Sequence, residues 1–297
     1  MVHPHGIAML VHQPPLLNNT FIFSYSFDYN NVHGDTIYIK TPDVVNFFQK
    51  HASAFQNPFV LVTGCDVMSV PDDIKDFFQY INHPKLLHWY AQNYTGTAFS
   101  SKISHLPLGI DYHTLTSRNH NVWGSRMNTI EQERQLLQVK KTMLPIHKTI
   151  SNIALVNFHH STYGPPRLRE ERRKPILEAI KKKKDGSIKY LSKQKRGDFW
   201  KEMRYYAFTI SPPGFGWDTH RTWETLMLGR IPIIADAGIN GVYEGLPVLI
   251  VNDWSVMSKE WLEEQFKVIV QRWDSYNWER LRLDYWKRRL YRHRRHE

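Results

Sequence analysis

The stretch Ala207–Ala235, AFTISPPGFGWDTHRTWETLMLGRIPIIA, constrains the fold of this chain more than any other. A short apolar strand ends at Ser211, and Pro212-Pro213-Gly214-Phe215-Gly216 follows as a turn. Gly214 and Gly216 let backbone amides approach a ligand there. Asp218 or Thr219 is placed to cap a helix over 219–228, and Gly229 ends it. The strand Ile231–Ala235 then completes a β-α-β unit. The helix N-terminus offers free N–H groups and partial positive charge to a phosphate at the mouth of a cleft. His220 and Arg221 occupy its first turn, and Trp223, Leu226 and Met227 its buried side. Glu224 lies one turn deeper, on the face of His220. As an acceptor-only group it suits both hydroxyls of a ribose. Spacing alone equally allows an exposed carboxylate paired with Arg221 or Arg230.

The same alternation runs through the rest of the chain. Strands are expected at 21–27, 36–39, 59–63 and 86–90, with helices at 43–51 and 71–80, the latter opened by Pro71. A polar helix at 132–142 precedes a break at Pro145, which places a domain boundary near 145. A second series begins at 153–158, with helices at 170–182 and 198–205, strands at 188–191 and 248–251, and helix from Ser258 onward. This pattern predicts an α/β chain of two Rossmann-like domains, 1–145 and 146–297, facing an interdomain cleft. In the cleft-facing loop 159–166, Ser161 and Thr162, with Asn157, His159 and His160, have the polarity to contact phosphate or sugar; Arg167, Arg169 and Arg173 are the nearest cations.

Composition narrows the function. A chain of 297 residues with 41% hydrophobic and 13% aromatic content has material for two cores and is not disordered. A net charge of +11 suits an anionic partner, whether nucleic acid, acidic membrane or diphosphate. Much of the excess lies at Lys181–Lys184 with Lys189, Lys193, Lys195 and Arg196, and in WKRRLYRHRRH at 286–296. Neither run carries a nucleic-acid motif, so both read as solvated faces. The single cysteine, Cys65, excludes an internal disulfide and a zinc site built from cysteine pairs. The 16 histidines include no H-E-x-x-H, so no catalytic metal is expected; no G-x-S-x-G elbow supports a serine hydrolase. No apolar run approaches ~18 residues, and the opening MVHPHGIAMLVHQPP lacks a secretory pattern. The N-x-T triplets at Asn18 and Asn93 therefore read as chance, and a cytoplasmic protein is expected.

Ser211-Pro212-Pro213-Gly214, His220-Arg221-Thr222-Trp223-Glu224, Gly229-Arg230-Ile231-Pro232-Ile233-Ile234, Leu246-Pro247 and Asp253-Trp254 occur in an order that resembles the donor-binding segment of exostosin-like glycosyltransferases, over about 50 residues. The likeness is greatest to soluble members encoded by large algal viruses. It implies a GT-B fold with a nucleotide-sugar in the C-terminal domain and a final helix, within 278–291, returning to the first domain. It further implies inversion at the anomeric carbon, a UDP-sugar donor, a glycan acceptor and no required metal or other cofactor. The sugar is left open among xylose, galactose, glucuronic acid and N-acetylglucosamine. Arg173 matches the family's arginine leading into the helix after the first strand of that domain.

Inversion needs a base on the acceptor side. Asp66, at the end of strand 59–63, is the first candidate, with Asp111 and His113 as rivals and Asp28 as a further one. The segments around Trp89-Tyr90-Ala91-Gln92-Asn93 and Pro107–Asp111 are similar to the family's acceptor groove, which makes Trp89, Tyr90 and Asn93 expected acceptor contacts. Two other classes stay in contention: a nucleic-acid-binding protein using the basic runs, and a non-catalytic glycan-binding module.

Overall fold

A computed structural model describes residues 36–293, except 56, 97–99, 122, 159–171 and 193. The expected strand 21–27, Asp28, Ser161, Thr162 and the rest of the loop 159–166 lie outside the described residues.

The first sheet is parallel, with β1 (Thr36–Lys40), β2 (Phe59–Gly64), β3 (Leu86–Ala91) and β4 (Ile103–His105) in spatial order β1-β2-β3-β4. β2 reads FVLVTG and is buried at every position, as an inner strand covered on both faces requires. Its alternation divides two cores. Phe59 and Leu61 join Ile37, Trp89 and the phenylalanines of α1 (Val44–Lys50) on one side. Val60 and Val62 join Tyr38, Tyr90 and Leu106 on the other.

The expected helix at 71–80 shrinks to α2 (Phe77–Ile81). The Asp73 carboxylate accepts from Ser69 N at 2.7 Å, and Asp76 takes a left-handed conformation at φ 58°, which breaks a right-handed helix. Beyond β4 come α3 (His113–Ser117) and α4 (Thr129–Lys141), the latter opened by a reciprocal capping box between Asn128 and Glu131. Ile110, Tyr112, Leu136 and Val139 pack into the core of the second sheet. Packing therefore changes hands between Leu106 and Ile110, ahead of the expected division near 145.

The second sheet is also parallel. β5 (Ile150–Val156), β6 (Ile188–Tyr190), β7 (Tyr206–Ile210), β8 (Ile231–Ala235) and β9 (Leu249–Val251) stand in spatial order β6-β5-β7-β8-β9. α5 (Lys174–Lys181), α6 (Arg196–Glu202) and α7 (His220–Met227) connect them. The chain leaves β5 to one side for β6 and returns to the other for β7. The β5/β7 boundary is thus the topological switch point, where a doubly wound sheet opens a crevice at its carboxyl edge.

After α8 (Lys259–Gln271), the chain ends its described course in α9 (Leu283–Tyr291), which returns to the first sheet. Trp286 and Leu290, both almost fully buried, fill the core beside Val60, Val62 and Tyr90, and Tyr90 Oη donates to Arg289 O at 2.8 Å. The first half of the basic run at 286–296 is thus a packed crossover helix: Arg289 lies over Tyr285 and Trp286, while Lys287 and Arg288 stay exposed as a solvated face. Among the described residues, no helix is long and apolar enough to cross a membrane.

Candidate functional site

The loop Ser211–Thr219 leaves β7 at the switch point. Gly214 N donates to Gly216 O at 3.0 Å, closing a tight turn. The Arg173 guanidinium lies against this turn, with Nη2 3.4 Å from where a side chain at 214 would begin. Arg173, immediately before α5, donates through Nε to Pro213 O at 2.6 Å. Arg221, in the first turn of α7, faces the same place: its Nε is enclosed and has no hydrogen-bond partner. Burial pulls its guanidinium down to about 10; Glu224 opposes that pull and Arg173 adds to it. Two cations close enough to repel, one with an unsatisfied donor, flank a glycine turn at the switch point. Such an arrangement is stabilised by an anion.

Three neighbours complete the surroundings of the turn. Thr219, one of the two expected caps, is the N-cap of α7, but it makes no side-chain cap bond; its hydroxyl pairs with Ser211 Oγ at 2.9 Å. His220 turns away from the helix tip, with Nδ1 on Gly109 O at 2.7 Å and Nε2 3.8 Å from Asp111. Glu224 is neither solvent-facing nor ion-paired to Arg230. It is only 6% exposed, its Oε2 accepts from Trp200 Nε1 at 3.1 Å, and its Oε1 lies 3.9 Å from Arg196 Nη1. Arg230 instead donates to the carbonyls of Leu144, Met203 and Arg204.

Compared with known proteins, the chain matches no family model and no curated sequence. Its chemistry must be read from its own residues.

Asp218 joins the two units. It is 4% exposed and accepts from Leu108 N at 2.8 Å, Trp223 Nε1 at 2.9 Å, Tyr243 Oη at 2.6 Å and Thr219 N at 2.8 Å. Asn93, held at φ 52°, accepts from Asp218 N at 3.1 Å and donates to Asp66 O at 3.1 Å. A side chain at Gly216 would meet the Asn93 amide at 2.9 Å. Asn93 is therefore an interdomain tie, and at 6% exposure its N-x-T triplet has no room for a glycan. Trp89 and Tyr90 are core residues instead of acceptor contacts. Trp89 is fully buried with Nε1 on Thr63 Oγ1, and Tyr90 lies under α9. Their alternate side chains enter the two covered faces of β3, which leaves neither ring face for a sugar.

Arg196, grouped by sequence with a surface charge run, is 7% exposed. It donates to Asp111 O at 2.7 Å and Gln132 Oε1 at 2.8 Å and lies over the rings of Trp123 and Trp200.

The candidate bases separate clearly. Asp111 is buried and accepts from Thr114 N, Thr114 Oγ1 and His113 Nδ1 at 2.9–3.0 Å. Burial alone pushes it up, but the His113 hydrogen bond, the His220 and His113 charges and the Thr114 amide outweigh that and hold it well below the usual carboxylate range. Such a group is a poor base and a good orienter of His113, whose side chain is 46% exposed. Asp66 stands two residues past β2, partly exposed; Oδ1 accepts from Met68 N at 2.9 Å, and no bond from the described residues occupies Oδ2. Its backbone carbonyl touches Asn93, which places it across the interface from the 214–219 loop.

Asp43 carried no sequence signal. It ends the 3-10 turn Thr41–Asp43 after β1, is 8% exposed and has no side-chain hydrogen bond among the described residues. Burial pushes its carboxyl up to about 6; Lys40 opposes and Asp66 reinforces the shift. The native state thus holds this proton to higher pH than the unfolded chain, and stability contributed by the protonated form is lost as pH rises from about 4 through 6. Asp43→Asn is expected to stabilise the protein by about 1–3 kcal/mol at pH 7.5 and by nearly nothing at pH 4. Urea denaturation at the two pH values measures this; equal effects at both would contradict it.

Among the described residues no group of three metal-ligating side chains converges. A groove of about 600 Å³ is lined by Pro71, Asp72, Ile74, Asp76, Phe77, Phe78 and Gln79, apart from the two cations.

Proposed function

We propose that the chain is an inverting glycosyltransferase of GT-B type that moves a sugar from a UDP-sugar to a glycan hydroxyl. The observation that carries this reading is the enclosed Arg221 Nε, which has no hydrogen-bond partner, in a guanidinium that feels the charge of Arg173, itself bonded to the glycine turn that leaves the second sheet at its switch point. A diphosphate supplies the missing acceptor oxygens and cancels the repulsion between the two arginines. In the transfer, the acceptor oxygen forms its bond to the anomeric carbon as the bond from that carbon to the diphosphate breaks. The diphosphate leaves with the bonding electron pair, and Asp66 takes the acceptor proton. Arg173 and Arg221 meet the negative charge that grows on the leaving group, the role a divalent cation plays elsewhere. On this reading no metal is required. Glu224, fixed by Trp200 through Oε2 and with Oε1 3.9 Å from Arg196, is on this reading the acceptor for the ribose hydroxyls.

A panel of UDP-xylose, UDP-galactose, UDP-glucuronic acid and UDP-N-acetylglucosamine, followed for release of UDP, tests the reading. One member is expected to be cleaved slowly by the protein alone and faster with acceptor. Release from none, with or without a mixed glycan acceptor, would set the reading aside.

A further inference from the structure

His88 of β3 and His293, just past the end of α9, lie face to face where the crossover helix docks on the first sheet. Their rings are 3.9 Å apart and 11° from parallel. His88 shares the α9-facing side of β3 with Tyr90, two residues on. The Tyr90 ring is 4.7 Å from His88 and 5.8 Å from His293. His88 is buried, with Nε2 bonded to Ser104 Oγ of β4 at 2.8 Å. The hydrogen bond from Tyr90 Oη to Arg289 O closes the same contact one turn earlier in the helix.

A contact of this kind favours two neutral imidazoles. Two protonated rings stacked this closely repel, and a single protonated ring meets only further cations. Arg289 and Arg292 of the helix end are the charged groups that act on the pair, with Tyr90 and Ser104 as its neutral neighbours on the sheet. Among the described residues no carboxylate forms an ion pair with either ring. Burial, with the His293 and Arg289 charges, pushes His88 from 6.5 down to about 3; burial, Arg289 and Arg292 push His293 down as well. The docked arrangement thus excludes protons that the released rings would bind. It is favoured above about 6.5 and weakens as pH falls from there toward 3.

We propose that His88 and His293 form an acid-released latch on the end of the crossover helix. At neutral pH the stacked pair holds the last turn of α9 against β3. When one ring takes a proton the stack opens, and His293 moves into solvent with the arginines beside it. Trp286 and Leu290 are the anchors that the latch backs up. Neither titrates, so opening starts at the C-terminal end. Because α9 carries the chain from the second unit back to the first sheet, the latch makes one tie between the units sensitive to acid. It stands whether or not the chain transfers sugars.

Hydrogen exchange of the full chain, read by mass spectrometry and divided by the intrinsic rate at each pH, tests the latch. Between pH 7.5 and 5 the amides of 288–293 are expected to lose roughly 30-fold in protection from His88 alone, since it titrates near 3 docked and near 6.5 released. The helix α8, which contains no histidine, should keep its protection. His293→Phe retains a ring against His88 without a second charge, and should make the loss smaller. Adding His88→Gln, which can still bond Ser104 Oγ, should reduce the loss to within about twofold. The latch is overturned if 288–293 are equally protected at both pH values, if α8 loses as much as α9, or if the double variant loses as much as the unmodified protein. Should the double variant not fold, His293→Phe decides alone: an unchanged loss in that variant overturns the latch.

Discussion

Asp66→Asn is expected to slow sugar transfer by about 10²–10⁴, the range a positioned general base contributes, while UDP affinity stays within about twofold. The asymmetry follows from where Asp66 sits. Its Oδ1 is committed to Met68 N, which fixes the rotamer, and Oδ2 is left to receive a proton. Asparagine keeps the first bond and loses the second function. The loop 214–219 with its two arginines lies across the interface and is untouched by the change. Transfer and UDP affinity, followed together, decide the matter. A rate near that of the unmodified protein would move the role of base to His113, which Asp111 already orients through Nδ1 at 3.0 Å.

Asp218→Ala is expected to destabilise the protein by about 3–5 kcal/mol, because several buried donors lose their acceptor at ~1–3 kcal/mol each. The donors come from both units: Leu108 N from the segment leaving the first sheet, Trp223 Nε1 from α7 and Tyr243 Oη from the turn after β8. The loss should therefore appear first as separation of the units. Limited proteolysis of the variant is expected to cut near 106–110, with denaturant melts resolving two transitions. A variant that melts at the original midpoint would show that the units are held by other contacts, such as the close approach of Gly238 to the Thr95 carbonyl.

The division between what the sequence discloses and what it hides has a physical basis. The β7-α7-β8 unit was legible because its signals are consecutive: an apolar run, a glycine turn, an amphipathic helix and a terminal glycine, Gly229, at φ 68°. Strand β8 matches its expected bounds. The helix at 71–80 is shorter than its pattern suggests because Asp73 binds the Ser69 amide and Asp76 turns left-handed, neither of which the pattern of residue types discloses. Trp89 and Tyr90 were misplaced because alternation cannot tell a sugar-facing ring from a core ring when both faces of a strand are covered. The role of Asp218 at the junction of the two units stays hidden because its donors at Leu108 and Tyr243 are remote in sequence. Arg196 was hidden by its lysine neighbours, and Asp43 by having no motif at all. Arg173 and Arg221 were each named from sequence, but only folding brings their charges within reach of each other beside the turn that Arg173 holds.

Calorimetric titration with UDP, in the presence of a chelator, tests the central claim most directly. The unmodified protein is expected to bind one UDP per chain with micromolar affinity, and Arg221→Gln to weaken that binding by about 10–100-fold, as loss of a charge-assisted contact to phosphate requires. No heat of binding up to millimolar UDP, or equal affinity in the two proteins, would mean that the paired arginines serve something other than a diphosphate.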